Sequence, residues 1–182
     1  MKLVIAITGM PGSGKSTAVD LLKSEGLRSI RMGDAVRKEM TEKGLEINNV
    51  SLRKYVLKIR EISRYYVLNL VKKEIDNAFK TSDLVVLDGV RNIGEIERLK
   101  KDGYHPVSIA IMTDKRIRFE RIKKRHNSSD VTEFSEFEWR EAQELKYGIA
   151  DVIATSDYYI LNNLDIDELS KQLKSILNKV KQ

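Results

Sequence analysis

Short apolar runs alternate along the chain with segments of helical periodicity. Residues 2–8 are apolar and β-branched, as a strand covered on both faces should be. Residues 16–25 read as a helix stopped by Gly26, and residues 27–31 as a short second strand. Asp34 suits the N-cap of a helix running to about Gly44. From Ser51, the positions Leu52, Tyr55, Val56, Ile59, Ile62, Tyr66 and Leu70 trace one face of a long helix. Residues 84–88 predict a strand, 93–102 a helix and 106–112 another strand. A basic helix opens at Asp114 and runs to about Arg125. Residues 126–133 read as a polar loop and 134–147 as a helix. Residues 158–161 predict the last strand, and 165–181 a closing amphipathic helix.

Strands alternating with helices predict an α/β fold, three layers with a parallel five-stranded sheet in the middle. Two segments interrupt the alternation. Residues 34–79 hold two helices in succession, and residues 122–148 hold the polar loop and a helix. Both read as insertions on a single domain spanning residues 1–182, a length that suits one core.

Composition removes several chemistries. With no cysteine, the chain has no disulfide, no thiolate nucleophile and no Cys-rich zinc site. His105 and His126 are isolated, so no histidine pair has metal-ligand spacing. No apolar stretch is long enough to span a membrane, and the amino terminus lacks signal-peptide character, so the expected compartment is the cytoplasm. The net charge of +6 is unevenly placed. Residues 51–80 carry eight Lys/Arg against three acids, and residues 114–126 seven against two. Such patches attract polyphosphate ligands, and equally RNA, so both partners stay open here. No feature specifies an oligomeric state.

The most specific signal is Gly9-Met10-Pro11-Gly12-Ser13-Gly14-Lys15-Ser16, which matches G-x-x-x-x-G-K-[ST] at every fixed position. It follows an apolar strand and opens a helix, the context in which the pattern has physical meaning. Glycines let the backbone curl around a phosphate so that successive N–H groups point inward. The helix start adds its positive dipole end. Lys15 can reach the β- and γ-phosphates, Ser16 can ligate Mg²⁺, and Thr17 can reach the α-phosphate. A phosphate cradle sets the ligand class and not the activity. A guanine-reading Asn-Lys-x-Asp segment is absent; Asn178-Lys-Val-Lys181 lacks the carboxylate. The chain is also short for a motor ATPase. A small kinase is the class that remains.

Three further sites carry a resemblance. Gly33-Asp34-Ala-Val-Arg37 resembles the Gly-Asp-x-x-Arg segment of adenylate-kinase-like nucleoside monophosphate kinases. Leu87-Asp88-Gly-Val-Arg91 is similar to their Asp-Gly-Phe-Pro-Arg, and Arg121-Ile-Lys-Lys-Arg125 to the arginine pair that opens their lid. The stretches from Arg140 to Gly148, Ala150-Asp-Val-Ile and Ile160-Leu-Asn-Asn resemble an archaeal P-loop family related to adenylate and dephospho-CoA kinases. The resemblance implies an ATP- and Mg²⁺-dependent phosphotransferase. In it Asp34, Arg37 and Arg91 would bind the acceptor, and Lys15, Arg91, Arg121 and Arg125 would stabilise the transferring phosphoryl group. Asp88 would support Mg²⁺ through water, and residues 34–79 and 122–148 would be the acceptor subdomain and the lid. Arg91 stands three residues after Asp88 instead of four, the proline is missing, and no adenine-reading segment marks the acceptor side.

Each residue also has a plainer reading. Asp34 would only cap a helix, Asp88 a turn, and Arg37 and Arg91 would be surface arginines beside Glu39 and Glu95. Arg121 and Arg125, four apart, would be one solvated basic face. Arg140 sits between Glu136 and Glu144 at i ± 4, either a salt-bridge ladder or part of the lid site. Trp139, Phe134 and Phe137 are expected to pack the lid helix, against stacking on a base. Two other functions stay open: a nucleotide-dependent regulator or RNA-associated ATPase, and an enzyme like dephospho-CoA kinase. The latter phosphorylates a hydroxyl and would need Asp34 or Asp88 as base.

Overall fold

The computed structural model describes residues 1–124 and 133–181. Five parallel strands lie in the order β2-β3-β1-β4-β5: β1 Leu3–Thr8, β2 Arg28–Arg31, β3 Leu84–Asp88, β4 His105–Met112 and β5 Tyr158–Leu161. β1 is buried on both faces, which is why it reads as an unbroken apolar run. Its alternate residues go to opposite layers. Val4 and Ala6 join a core with helices α2 (Met32–Glu42), α3 (Asn49–Ile62), α4 (Tyr66–Ala78) and α5 (Ile93–Lys101). Leu3, Ile5 and Ile7 join the other, with α1 (Lys15–Ser24) and α9 (Ile166–Val180). The α/β architecture, with helices on both sides of a five-stranded parallel sheet, is the expected one.

Register places the site. Ile7 pairs with Asp88, and Asp88 with Arg31, so the carboxyl ends of β1, β3 and β2 come level. From β1 the chain crosses over one face, through α1, to β2. From β3 it crosses the other face, through α5, to β4. The loops after these neighbouring strands therefore diverge, opening the crevice in which parallel sheets hold ligands.

Three local expectations are corrected. Asp34 is not an N-cap. β2 runs directly into α2, whose N-cap is Arg31 in extended conformation, and Asp34 lies inside the first turn. The single long helix from Ser51 is two helices. An Asn48 capping box, with Ser51 at N3, starts α3, and the chain becomes extended at Ser63 before α4 begins. The break leaves Ile62 70% exposed, so the apolar face traced through it is not continuous. A six-residue helix, α8 Ile149–Ala154, follows Gly148, and it is too short for periodicity to reveal. Two further helices complete the fold, α6 Lys115–Lys124 and α7 Phe134–Lys146. They pack through Phe119, Ile122, Phe134 and Phe137, so the two phenylalanines do serve packing.

Candidate active site

The loop between β1 and α1 is shaped by three glycines at positive φ: Gly9 (144°), Gly12 (79°) and Gly14 (98°). A Cβ at Gly12 would lie 2.5 Å from the backbone oxygen of Arg118. One at Gly9 would lie 2.4 Å from that of Ile111, and one at Gly14 2.2 Å from Asn162 Nδ2. The cradle thus excludes side chains both by conformation and by space. Its outer wall comes from distant segments. Asn162 Nδ2 and Thr113 Oγ1 both donate to Ser13 O, at 2.8 and 3.0 Å. Arg118 donates to Pro11 O at 3.2 Å and to Thr113 O at 3.0 Å, and is buried against Glu141 of α7. None of Thr113, Arg118, Glu141 or Asn162 is visible as a site residue in the sequence. Arg118 and Pro11 are 107 positions apart, Asn162 and Ser13 149 apart.

Lys15 folds back on the loop, donating to Gly9 O (2.7 Å) and Met10 O (3.0 Å). Burial, reinforced by the Arg91 charge, pushes its ammonium down to about 7, against smaller opposing effects of Glu144 and Asp88. The Thr8 and Ser13 hydroxyls at the base of the loop are buried with no hydrogen-bond partner among the described residues. Spare buried donors, positive-φ glycines and a helix N-terminus fit a polyphosphate. Ser16 and Asp88 line the same cavity and suit Mg²⁺, which takes few protein oxygens and completes its shell with water and phosphate. Thr17 lies in the first turn of α1.

From the loop one cavity of about 620 Å³ extends under α2, α3 and α7. Among the described residues, Lys15, Arg31, Arg37, Arg53, Arg60, Arg91 and Arg140 line it, against two carboxylates, Asp88 and Glu144. Asp88, 7% exposed, accepts from Arg31 Nε at 3.0 Å; Arg31 was not expected in the site. Arg91 faces Glu144 at 3.2 Å, and this carboxylate raises the already high guanidinium pKa. Its backbone is also held: Glu95 Oε2 accepts from the N–H groups of Arg91 (2.9 Å) and Asn92 (3.2 Å). Glu95 Oε1 accepts from Arg60 at 2.8 Å, and Asn92 Nδ2 donates to Tyr147 O at 2.8 Å. Arg91 is therefore not a surface arginine paired through its side chain with Glu95. Its partner is Glu144, from a helix more than fifty positions away.

The remaining candidates divide. Arg37 lines the cavity and is held at 2.7 Å by Asp34, which does not line it. Arg140 lines the cavity beside Glu144. Arg121 lies on the other side of the loop, near Gly14, donating toward Thr113 Oγ1 (3.5 Å) and Leu164 O (3.4 Å). It is not brought together with Arg91. Arg125 and His126 lie outside the described residues. Trp139 neither packs the lid core nor lines the cavity. It is 46% exposed, with the Arg53 guanidinium 4.8 Å from its ring. The two halves of the excess positive charge have separate fates: Arg53 and Arg60 turn into the cavity, and Arg118 locks the loop.

Comparison with known proteins agrees with this geometry. The family model described as an AAA domain matches residues 5–146. A UPF0200 protein of Thermococcus onnurineus is 34% identical over 181 residues, covering 98% of each chain. A UPF0200 protein of Methanothermobacter thermautotrophicus is 36% identical over 182 residues, covering 98% of this chain and 90% of its own. Among solved structures, TT1252 from Thermus thermophilus superimposes with a TM-score of 0.64 at 20% identity, over 97% of both chains. Shikimate kinase from Acinetobacter baumannii in complex with shikimate has a TM-score of 0.58 at 16% identity, covering 100% of this chain and 93% of its own. At such identities the structural likeness speaks for the P-loop kinase-like fold alone.

Proposed function

We propose, from the premise that this chain belongs to the UPF0200 family and carries its AAA-domain P-loop, that it is an ATP- and Mg²⁺-dependent phosphotransferase. Its acceptor is a small phosphate-bearing molecule, nucleotide-like in kind. One observation carries the reading: a single cavity joins the phosphate loop to a second, strongly cationic end. A hydrolytic switch needs only the first end. A transferase needs both, and needs them continuous, because its reacting atoms must approach within about 3–3.5 Å.

In this reading the loop amides, Lys15 and Thr17 hold the triphosphate. Ser16 and water-mediated Asp88 hold Mg²⁺, which supplies charge neutralisation on the β- and γ-oxygens. Arg37 and Arg91 orient the acceptor. An acceptor oxygen forms its bond to the γ-phosphorus as the bond from that phosphorus to the bridging β-oxygen breaks, and ADP leaves with the electron pair. A phosphate oxygen needs no general base, which accords with Asp34 and Asp88 each being engaged by an arginine. Arg121, near Gly14, is assigned to the triphosphate side, and α7 to the lid, in the cytoplasmic setting expected of the sequence. No helix among the described residues is long and apolar enough to cross a membrane. That Arg53 and Arg60 face inward favours a small acceptor over RNA.

The decisive measurement is ATP consumption with product analysis, run alone, with each nucleoside monophosphate, with dephospho-CoA, and with RNA. A phosphorylated small product is the expected result. Hydrolysis stimulated by RNA alone would move the protein to the ATPase class.

A further inference from the structure

The acceptor end of the cavity contains polar groups that the phosphate loop and the Arg91 contact leave unused. Tyr147 lines the wall at only 2% exposure, and its hydroxyl is buried without a hydrogen-bond partner among the described residues. A buried donor left unmade is costly, so native proteins retain one where something else completes it. Arg60 stands beside it, its guanidinium 5.8 Å from the Tyr147 ring centre, with NH2 taken by Glu95 and Nε buried and unmatched. Arg53 is the third group. It lines the cavity, lies 4.8 Å from the Trp139 ring and has no carboxylate within ion-pair distance among the described residues. Burial lowers its pKa, as expected of a cation drawn out of water without a counter-charge.

Arg53, Arg60 and Tyr147 line the same cavity as Lys15, Arg91 and Glu144. The charges acting on Lys15 are those of Arg91, Glu144, Asp88 and Arg140. Those acting on Arg53 come from Tyr147, Glu144 and Arg91. Arg91 and Glu144 are common to both sets. Three of the lining cations are already balanced: Arg91 by Glu144, Arg60 by Glu95, Arg37 by Asp34. Arg53 is not. Met32, Val36, Leu52 and Val56 add an apolar wall suited to a carbon framework.

Resting on the phosphotransferase reading, we propose that Arg53 and the Tyr147 hydroxyl form a distal oxyanion subsite and that the acceptor is a doubly anionic small molecule. One end accepts the phosphoryl group beside Lys15 and Arg91. The other end, a phosphate or a carboxylate, accepts hydrogen bonds from Arg53 and Tyr147. A nucleoside bisphosphate or a phosphorylated carboxylic acid has this chemistry, whereas a nucleoside monophosphate has half of it. Trp139 is a positioning residue that holds the Arg53 guanidinium by its π face.

Trp139 is the single tryptophan of the chain, so its fluorescence reports on Arg53 directly. With the phosphate loop saturated by Mg²⁺ and a non-hydrolysable ATP analogue, the protein is titrated with AMP, adenosine 3′,5′-bisphosphate and 3-phosphoglycerate. Fluorescence and heat are both followed. At least one doubly anionic compound should bind tenfold or more tightly than AMP, and the tighter of the two identifies the second anion. Arg53→Gln and Tyr147→Phe should each bring that affinity down toward the AMP value. Tyr147→Phe removes one oxygen and keeps the ring, and circular dichroism verifies that both variants are folded. Equal binding of all three compounds, binding of none, or a preference surviving both variants would overturn the subsite. Selective binding without phosphoryl transfer retains the subsite and defeats the kinase reading. Transfer to AMP without any preference does the reverse.

Discussion

The two ends of the cavity are held in place by different means. The phosphate end is made of backbone: eight consecutive residues, three positive-φ glycines, and carbonyls locked from behind by Arg118, Thr113 and Asn162. The far end is made of side chains, several of them in neutralising pairs: Arg60 with Glu95, Arg91 with Glu144, Arg37 with Asp34. A backbone cradle keeps its shape without a ligand, since its geometry is set by conformation. Where a cation is paired, an incoming anion must compete with a carboxylate already there, whereas Arg53, with no carboxylate in ion-pair range among the described residues, presents no such competitor. One end is set by backbone conformation, the other by charge pairing.

Substitutions should separate the two. The largest effect is expected at Glu95, which is fully buried and serves both Arg60 and the Arg91 backbone. Glu95→Ala leaves a buried guanidinium unpaired, worth about 3–5 kcal/mol of stability. For a chain of this size that lowers the melting temperature by roughly 6–20 °C. A melting temperature within about 2 °C of wild type would show that the pairs are not what holds the acceptor end. Lys15→Ala, at the other end, should reduce turnover by about 10²–10³-fold with little change in melting temperature. Comparable turnover in that variant would remove the loop from the chemistry.

A pH series sharpens the contrast further. With its pKa near 7 in the free protein, Lys15 must regain a proton when a triphosphate arrives. ATP affinity should therefore fall as pH rises above 7, approaching tenfold per unit. Calorimetry at pH 8 in buffers of different ionisation enthalpy should register proton uptake. The free protein behaves oppositely. Between pH 7 and 10.5 the unfolded chain binds the lysine proton and the folded chain does not, so this group's contribution to stability rises with pH. The smallest effect is Trp139→Ala. Loss of the stacked ring should raise the acceptor KM about two- to fivefold, in proportion to an exposed cation–π contact, and should leave the KM for ATP in place.

What could be read along the chain was whatever is encoded locally. β1 and β3 announce themselves because burial on both faces demands nearly uninterrupted apolar residues, as in Leu3–Thr8 and Leu84–Asp88. The phosphate loop announces itself because its glycines, lysine and serine must be contiguous to bend one backbone segment around one ligand. Asp88, the last residue of β3, and Arg91, three positions on, were legible as cavity-lining candidates because the end of a parallel strand is where such sheets hold ligands. Local pattern was misleading where a tertiary contact won. β2 passed directly into α2, so Asp34 became the partner of Arg37 instead of a cap. The helix traced through Ile62 broke at Ser63. Glu144, a ladder residue by its spacing from Arg140, went to Arg91.

The linear pattern was thus enough for the α/β architecture and for the phosphate-loop motif, since both are written in neighbours a few positions apart. Only the tertiary structure decided which charges meet. It set Arg31 on Asp88, Arg118 behind Pro11, Glu144 on Arg91 and Arg53 beside Trp139, and it sent Arg121 to the far side of the loop. Charge pairing acts through space, and residues 50 to 150 positions apart carry no mark in a linear pattern of which partner the fold will bring to them.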